Sequence, residues 1–228
     1  MTQLATTSII ACQRPLVSNP SMGEPEFVHI VDDDESQREA LLGLLRSVDI
    51  KGRAYPSVAD FLAAKISDAP GCLVLDVRLP GVGGLDFQAQ LATHGIYLPV
   101  ILITGHGDIP MSVRGMKAGA IDFLTKPFRD QDMLDAIATA VERDRARRAA
   151  EAASMGLEAH YKTLTPRERE VMMLVTDGKM NKQIAYELGL SQVTVKIHRG
   201  AAMRKMGART LADLVKMAEA LNLDTRGE

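Results

Sequence analysis

Two kinds of hydrophobic pattern alternate along residues 27–128. Short apolar runs of the kind found in β-strands are FVHIV, CLVLDV, YLPVILIT and AIDFLTK. Between these runs, apolar residues recur every three or four positions, as in SQREALLGLLRSV, which is the spacing of an amphipathic helix. Strands that alternate with helices pair in parallel, with each helix crossing over one face of the sheet. The pattern predicts an α/β fold with a doubly wound parallel sheet.

The pattern beyond residue 161 is helical throughout, and polar capping residues mark where each helix begins. TPRE predicts an N-cap at Thr165 with a capping box, and further helix starts are expected at Asn181, Ser191 and Thr210. The second and third helices are separated by only about three residues, the spacing of a helix-turn-helix. We therefore predict an all-α domain of four helices over residues 161–228.

A helical linker is predicted between the two domains. Residues 129–153 contain neither Gly nor Pro, and after an amphipathic start they become rich in Ala, Arg and Glu, until SMGLEAHYKTL ends the segment. Such a segment has high helix propensity but little to bury, so we expect the α/β domain over residues 27–141 and the linker over residues 142–160. Residues 1–26 are rich in Ser, Thr, Pro and Gln, which predicts a disordered leader.

Composition and charge indicate two domains with different partners. No apolar run approaches the roughly 20 residues that span a bilayer, and the leader lacks the apolar core of a secretory signal. We expect a cytoplasmic protein with no membrane partner, whose two cysteines, Cys12 and Cys72, form no ligand cluster. Residues 161–228 carry 12 Lys/Arg and eight Asp/Glu, whereas the rest of the chain carries 15 and 21. The basic C-terminal part indicates an anionic partner.

Five polar residues follow the predicted strands, where parallel pairing would bring them to one edge of the sheet. Asp32 and Asp33 end the first strand. The later strands end at Asp76, Thr104 and Lys126. Clustered carboxylates require a cation, and a few hard oxygen ligands suit Mg²⁺. A carboxylate can also accept a phosphoryl group, whose oxygens a hydroxyl and an ammonium stabilise. The set predicts a magnesium site for phosphoryl transfer.

The third carboxylate of the DDD triplet has a different expected role. Asp34 lies directly before the first helical pattern, with Gln37 three residues later. We predict that Asp34 is the N-cap of this helix and that Gln37 completes a capping box. Of the three carboxylates in the triplet, only Asp32 and Asp33 would then bind the metal ion.

The motifs IVDDDE, LVLDVRLPGVGG, ILITGHGD and FLTKPF occur in this order and resemble the receiver domain of two-component response regulators. The resemblance implies a five-stranded, flavodoxin-like fold. It also implies that Asp76 accepts phosphate from the phosphohistidine of a sensor histidine kinase. Asp32, Asp33, Asp76 and the backbone carbonyl of Arg78 would hold Mg²⁺.

The same resemblance implies roles for the residues that surround the acceptor. Thr104 and Lys126 would contact the phosphoryl group, and the ring of Phe123 would change rotamer together with Thr104. Lys126–Pro127 is expected to be a cis peptide. The protein would not be an enzyme, apart from slow removal of its own phosphoryl group. His29 and His106 are expected to be structural or solvated rather than ligands, because no other nitrogen or sulfur ligand accompanies them.

The helix predicted from Gln192 carries the residue types of a DNA-recognition helix. A short basic domain with helix-turn-helix spacing places its second helix in the major groove of double-stranded DNA. We expect Lys196 and Arg199 on the outward side of this helix. Asn181 and Lys182 begin the preceding helix, where backbone N–H groups favour phosphate.

The stretch LTPREREVMMLVTDGKMNKQIAYELGLSQVTVKIHRGAAMRKM is similar to the DNA-binding domain of the LuxR/FixJ/NarL family. The similarity implies DNA contacts from residues of two helices, namely Lys196, Ile197, Arg199, Thr194, His198, Asn181 and Lys182. Lys196 and Ile197 would contact bases. Gly200 stands where some relatives place Lys, so the sequence that this protein recognises must differ from theirs.

Together these features favour a FixJ-type response regulator whose phosphorylation promotes homodimerisation and DNA binding, with RNA polymerase as an expected further partner. Two alternatives remain. A Mg²⁺-dependent phosphohydrolase would need a substrate pocket and a general acid that the sequence does not show. A regulator that binds DNA without phosphorylation, and uses the receiver as a dimerisation module, is the stronger alternative. DNA affinity with and without a small phosphodonor separates the two regulators.

Overall fold

The computed structural model describes residues 26–105, 107 and 109–223. The chain divides into two compact units, Met1–Ile137 and Ala138–Glu228, and each is considered by itself. The predicted leader, except for its last residue, lies outside the described residues, as do Cys12 and His106.

The first unit contains a five-stranded parallel sheet with helices between its strands. The strands are β1 (Phe27–Val31), β2 (Lys51–Tyr55), β3 (Gly71–Asp76), β4 (Val100–Thr104) and β5 (Asp122–Thr125). The helices are α1 (Glu35–Ser47), α2 (Val58–Ala63), α3 (Gly84–Gln90) and α4 (Ile109–Lys117), with a short 3-10 helix at Leu91–His94. The order of the strands is β2-β1-β3-β4-β5. This topology confirms the predicted doubly wound fold.

The hydrophobic pattern did not indicate β2, whose sequence is KGRAY. This strand lies at the edge of the sheet and pairs only with β1, so just one of its residues, Tyr55, is fully buried. Gly52 packs closely against α1, because a Cβ there would lie 2.5 Å from Leu45 Cδ1 and one of the two would have to shift. An edge strand therefore needs few apolar residues, and its sequence shows little of the pattern that identifies inner strands.

One face of the sheet is covered by an aromatic cluster. Phe61 of α2 and Phe87 of α3 pack edge to face, with their ring centroids 6.0 Å apart. His29 of β1 is buried in the same cluster, and its Nδ1 lies 3.0 Å from the Tyr55 hydroxyl oxygen. Burial, assisted by the charge of Arg53, lowers the pKa of His29 to about 4. His29 is thus a neutral core residue, which is the structural one of the two alternatives expected for it.

Helix α5 (Asp130–Lys162) follows β5 and runs for 33 residues without a break. It includes the whole of the predicted linker, and it continues through Gly156 before it ends within the predicted stop sequence. Ion pairs between successive turns support it, as where Arg147 contacts Asp144 at 2.6 Å and Glu151 at 2.7 Å. In the described part of the chain, no helix combines the length and apolar character needed to cross a membrane.

The second unit consists of helices packed around one core. After α5 these are α6 (Pro166–Thr176), α7 (Asn181–Leu188), α8 (Gln192–Met206) and α9 (Leu211–Ala220). Buried apolar residues from all four helices form the core, including Val171, Ile184, Val195 and Leu214. This arrangement confirms the predicted four-helix domain.

The caps of these helices agree with the predictions at three of four positions. Thr165 and Glu168 form the predicted capping box, and Ser191 and Thr210 cap α8 and α9. The exception is α7, whose N-cap is Met180, so Asn181 is the first residue of the helix rather than its cap.

Candidate functional site

The three carboxylates predicted to share a cation meet at the carboxyl ends of β1 and β3. Asp32 and Asp33 follow β1, and Asp76 is the last residue of β3, its neighbour in the sheet. One carboxylate oxygen from each residue lies within 4.8 Å of the other two. The strand order reverses between β1 and β3, and ligands of open parallel sheets bind at such a switch point. The topology therefore assembles the predicted cluster.

Lys126 connects the two buried carboxylates of this cluster. Its Nζ donates to Asp32 Oδ2 at 2.6 Å and to Asp76 Oδ2 at 3.1 Å. Asp32 is fully buried and Asp76 is 6% exposed, whereas Asp33 is exposed. Burial raises the pKa of Asp32 against the opposing effect of Lys126. Burial alone would lower the pKa of Lys126, but the two carboxylates outweigh it and raise that pKa, so the ammonium stays charged.

Backbone N–H groups orient the same two carboxylates. The N–H of Asp34 donates to Asp32 Oδ1 at 2.9 Å, and the N–H of Arg78 donates to Asp76 Oδ1 at 3.1 Å. Helix α3 packs directly onto the end of β3, since a Cβ at Gly84 would lie 2.1 Å from the Asp76 carbonyl oxygen. The role of the Arg78 carbonyl as a metal ligand stays a prediction.

Asp34 caps α1, as predicted, and takes no part in the carboxylate cluster. Its Oδ1 accepts hydrogen bonds from the N–H groups of Ser36 at 2.8 Å and Gln37 at 3.3 Å. The predicted capping box is wrong in its second half. The Asp34 N–H, which Gln37 would have bonded, donates to Asp32 Oδ1 at 2.9 Å instead.

Arg38 of α1, which was not predicted as a site residue, holds the backbone of Asp32 and Asp33. Its Nη1 donates to the carbonyl oxygen of Asp32 at 2.8 Å and to that of Asp33 at 2.9 Å. Side chains on a helix point back towards its N-terminus, so an arginine one turn into α1 can reach the residues that precede the helix. That position is the sequence signal that could have identified it.

Thr104 and Phe123 lie on the same face of two neighbouring strands. Leu102 pairs with Phe123, and Thr104, two residues further, pairs with Thr125. Both side chains border Gly107, where a Cβ would lie 2.9 Å from the Phe123 ring and 3.1 Å from Thr104 Cγ2. The structure thus brings the buried hydroxyl residue and the aromatic residue together, as the predicted coupling requires.

Thr104 is also adjacent to the lysine of the carboxylate cluster. The Lys126 N–H donates to the Thr104 carbonyl oxygen at 2.7 Å, and Lys126–Pro127 is a cis peptide, as expected. The ends of β4 and β5 therefore deliver a hydroxyl and an ammonium to the same edge of the sheet as the three carboxylates.

The donor set at this edge fits Mg²⁺. Asp32, Asp33 and Asp76 supply hard carboxylate oxygens, and the exposure of Asp33 leaves space for water ligands. Lys126 contacts two of the three carboxylates, so one ammonium faces three negative charges. A divalent cation would offset the remaining repulsion.

Helix α8, the predicted recognition helix, presents part of the predicted DNA-binding set to solvent. Lys196 and Ile197 are exposed, while Thr194 and His198 are half-buried. The Thr194 hydroxyl lies 2.8 Å from that of the N-cap Ser191. Of the predicted contacts on this helix, Lys196 and Ile197 are therefore the most accessible to a partner.

Arg199 does not lie on the outward side of α8, where we expected it. It is half-buried, and its Nη1 lies 3.4 Å from Asn181 Oδ1 at the start of α7. This contact links the two helices of the helix-turn-helix, and it leaves Lys182 as the exposed cation at the start of α7.

Comparisons with known proteins match each unit to a family. Residues 28–138 match the response regulator receiver domain, and residues 162–218 match the bacterial regulatory proteins of the luxR family.

Relatives align with most of the chain. Nodulation protein W of Bradyrhizobium diazoefficiens is 55% identical over 197 residues, which cover 86% of this chain and 87% of that protein. The transcriptional regulatory protein FixJ of Rhizobium meliloti is 42% identical over 191 residues, covering 84% and 94%. The response regulator protein TodT of Pseudomonas putida is 44% identical over 194 residues, covering 85% and 86%.

Solved structures of response regulators also align with most of the chain. The response regulator StyR aligns with a TM-score of 0.77 and 46% identity, covering 86% of this chain and 98% of its own. Full-length FixJ from B. japonicum aligns with a TM-score of 0.52 and 34% identity, covering 86% and 97%. With a family match on each unit and FixJ-type relatives along most of its length, the chain belongs to the two-component response regulators that carry a LuxR-type DNA-binding domain.

Proposed function

We propose that this response regulator is a transcription factor controlled by phosphorylation of Asp76, with a sensor histidine kinase as the phosphodonor. The observation that carries the proposal is the contact between Lys126 and the two buried carboxylates, Asp32 and Asp76. A buried acceptor beside a fixed ammonium, with two further carboxylates for a cation, is the arrangement that phosphoryl transfer to an aspartate requires.

In the proposed reaction, a carboxylate oxygen of Asp76 attacks the phosphorus of the kinase phosphohistidine. The phosphorus–oxygen bond to Asp76 forms as the phosphorus–nitrogen bond to the imidazole breaks, and the product is an aspartyl phosphate. Lys126 neutralises the charge that collects on the phosphoryl oxygens. Bound Mg²⁺, held by Asp32, Asp33, Asp76 and the Arg78 carbonyl, would supply further neutralisation of the same oxygens. Slow hydrolysis of the aspartyl phosphate would return the protein to its resting state.

The signal would leave the site through Thr104 and Phe123. The Thr104 hydroxyl donates to a new phosphoryl oxygen, and the Phe123 ring turns into the space beside it. Their common border at Gly107, just before α4, supports this route. A displacement at that point would reshape the face formed by α4.

The exposed face of α4 supports dimerisation as the response. Ile109, Val113 and Met116 recur at helical spacing, and all three are exposed. An apolar stripe of this kind on a helix indicates a protein–protein contact, and a second copy of the chain would bury it symmetrically. Two helix-turn-helix units would then bind two half-sites on promoter DNA, which tightens binding without new contacts in either unit. RNA polymerase would be the further partner at the promoter.

The test is phosphoryl uptake by the full chain from a small phosphodonor and from phosphorylated kinase, measured by intact mass. The wild type should be modified when Mg²⁺ is present and not when it is chelated. Asp76→Asn should stay unmodified, and Asp60→Asn, which removes an exposed carboxylate elsewhere in the same unit, should behave as the wild type. Equal modification of Asp76→Asn and the wild type would refute the assignment of the acceptor.

A further inference from the structure

Helix α4 contacts the core of the first unit largely through its backbone. Among its nine residues, all of which the structure describes, Gly115 is the only one that is fully buried. Apart from Met111, which is half-buried against the core, its apolar side chains are exposed. A Cβ at Gly115 would overlap Leu102 of β4 and lie 3.3 Å from Leu85 Cδ2 of α3. A helix that buries so few apolar side chains depends on polar contacts for its position.

Gln88 of α3 fixes the C-terminal end of α4. Its side-chain Nε2 donates to the Gly115 carbonyl oxygen at 3.2 Å. This carbonyl lies in the last turn of α4, where carbonyl groups lack a partner within the helix, and it also accepts from the Ala120 N–H at 3.1 Å. Gln88 is buried, so its hydrogen bond is shielded from competing water. The side chain of Gln88 therefore ties the end of α4 to α3.

A second polar contact joins the same two helices at the surface. Arg114 Nη2 lies 2.5 Å from Asp86 Oδ1. The two side chains are 65% and 61% exposed, so this ion pair is expected to contribute less than the buried contact of Gln88. We call the four residues Asp86, Gln88, Arg114 and Gly115 the α3–α4 latch.

The buried part of the latch is only partly satisfied. Gln88 Oε1 is buried and has no hydrogen-bond partner within the part of the chain that the structure describes. A buried amide oxygen without a partner costs free energy, which a displacement of α4 that admits water would recover. Such a contact suits a helix that is held in one state of the protein and released in another.

Helix α3 connects this latch to the carboxylate cluster. Its first residue is Gly84, whose N–H donates to the carbonyl oxygen of Val77 at 2.9 Å, directly after Asp76. Gln88 lies one turn further along the same helix. One short helix therefore extends from the proposed acceptor to the end of α4, separately from Thr104.

We propose that the α3–α4 latch restrains α4 in the unphosphorylated protein, and that its release allows α4 to take the position that favours dimerisation. This inference rests on the proposed function and names a restraint on the response, outside the acceptor site. Phosphorylation of Asp76 would have to overcome that restraint. A chain without the latch should therefore respond in part without a phosphoryl group.

Gln88→Met removes both the donor and the unpaired oxygen at nearly constant side-chain volume. Loss of one neutral hydrogen bond should raise the population of released α4 about fivefold. The α4 amides should then exchange with solvent about fivefold faster, while the β3 amides exchange no faster than in the wild type. Dimerisation without phosphodonor should strengthen about 25-fold, because both chains of a dimer must release α4.

The experiment measures hydrogen exchange and sedimentation of the full chain, with and without a small phosphodonor. The control Gln90→Met changes an exposed glutamine of the same helix and should match the wild type in both measurements. Asp86→Asn breaks only the exposed ion pair, so it should speed α4 exchange about twofold and strengthen dimerisation about fourfold. Because Asp86 is at the surface, this variant decides the question if Gln88→Met fails to fold.

Three outcomes would overturn the inference. The α4 amides could exchange equally fast in Gln88→Met, Asp86→Asn and the wild type, which would show that the latch does not hold α4. Exchange could also rise in the variants while their dimerisation stays as in the wild type. In both cases the proposed function would stand, provided that phosphodonor strengthens dimerisation of the wild type. If phosphodonor left that dimerisation unchanged, the proposed function would fail and this inference with it.

Discussion

At the scale of single residues, the acid site depends on side chains that fix the carboxylates as much as on the carboxylates themselves. Lys126 contacts Asp32 and Asp76, and Arg38 donates to the carbonyl oxygens of Asp32 and Asp33. Groups that orient ligands in this way affect metal affinity without touching the metal. Arg38 is therefore expected to act as a positioning residue for the proposed magnesium site.

Replacing Arg38 by lysine tests this role while keeping the positive charge. The shorter side chain should lose the paired contacts to the two carbonyl groups, and Mg²⁺ affinity should fall about tenfold. Calorimetric titration of the full chain with Mg²⁺ measures the change. Arg46→Lys, on the exposed surface of the same helix, is the control and should bind Mg²⁺ as the wild type does. Identical Mg²⁺ affinities for Arg38→Lys and the wild type would show that Arg38 does not position the metal ligands.

His29 predicts a pH dependence of stability in the first unit. Its pKa is lowered from 6.5 to about 4 on folding, so the unfolded chain binds the proton first as the pH falls. The contribution of His29 is complete above pH 6.5 and is lost between that pH and about 4. Between pH 7 and pH 5 the loss should be about 2 kcal/mol.

Hydrogen exchange of the β1 amides in the wild type and in His29→Gln measures this difference. The wild type should lose about 2 kcal/mol more of its unfolding free energy than the variant between the two pH values. Equal losses in both proteins would show that His29 does not cause the dependence.

The roles of single residues could be predicted where the residue lies at the end of a strand or the start of a helix. They could not be predicted where the role depends on a contact with a residue distant in the sequence. Asp32, Asp76 and Lys126 stand at the ends of apolar runs, which the parallel topology brings together. In the sequence, Arg38 resembles any polar residue of an amphipathic helix. Only the structure shows that its side chain reaches the carbonyl oxygens of Asp32 and Asp33. Arg199 was expected on the outward side of α8 because it is charged, but the structure places its side chain beside Asn181 at the start of α7.

At the scale of elements, the short segment between β1 and α1 divides its three carboxylates between two tasks. Asp32 and Asp33 belong to the cluster with Asp76, and Asp34 caps α1. The division follows from local geometry, because a helix N-cap needs an acceptor at the residue just before the first turn.

The paired variants Asp33→Asn and Asp34→Ser test that division. Asp33→Asn should reduce Mg²⁺-dependent phosphoryl uptake by at least about tenfold, because it removes one charged ligand. Asp34→Ser should keep both uptake and the stability of α1, since serine caps a helix about as well as aspartate. Uptake from a small phosphodonor and thermal unfolding are the two measurements. Losses of equal size in both variants would contradict separate roles.

The elements that the sequence pattern predicted well are those whose burial is one-sided or complete. Inner strands and amphipathic helices carry a clear period, and capping residues mark α6, α8 and α9. The edge strand β2 was not predicted, because only one of its residues is fully buried and its sequence therefore shows little hydrophobic pattern. Helix α5 ends at Lys162, two residues beyond the predicted linker, since the residues around Gly156 favour a helix strongly enough to continue through it.

At the scale of the whole molecule, the chain combines a receiver domain with a LuxR-type DNA-binding domain. The acidic part of the chain contains the carboxylate cluster, and the basic C-terminal part contains the helix-turn-helix. In the proposed function, phosphorylation of Asp76 favours pairing of two chains, and the state of Asp76 thereby sets the affinity of the protein for DNA.

The most direct test is the affinity of the full chain for a duplex that it selects from a random library, measured with and without a small phosphodonor at fixed salt and Mg²⁺. Phosphodonor should raise the affinity of the wild type by at least about tenfold and leave that of Asp76→Asn unchanged. A wild type that binds equally tightly under both conditions would contradict the account, and it would establish a regulator that binds DNA without phosphorylation.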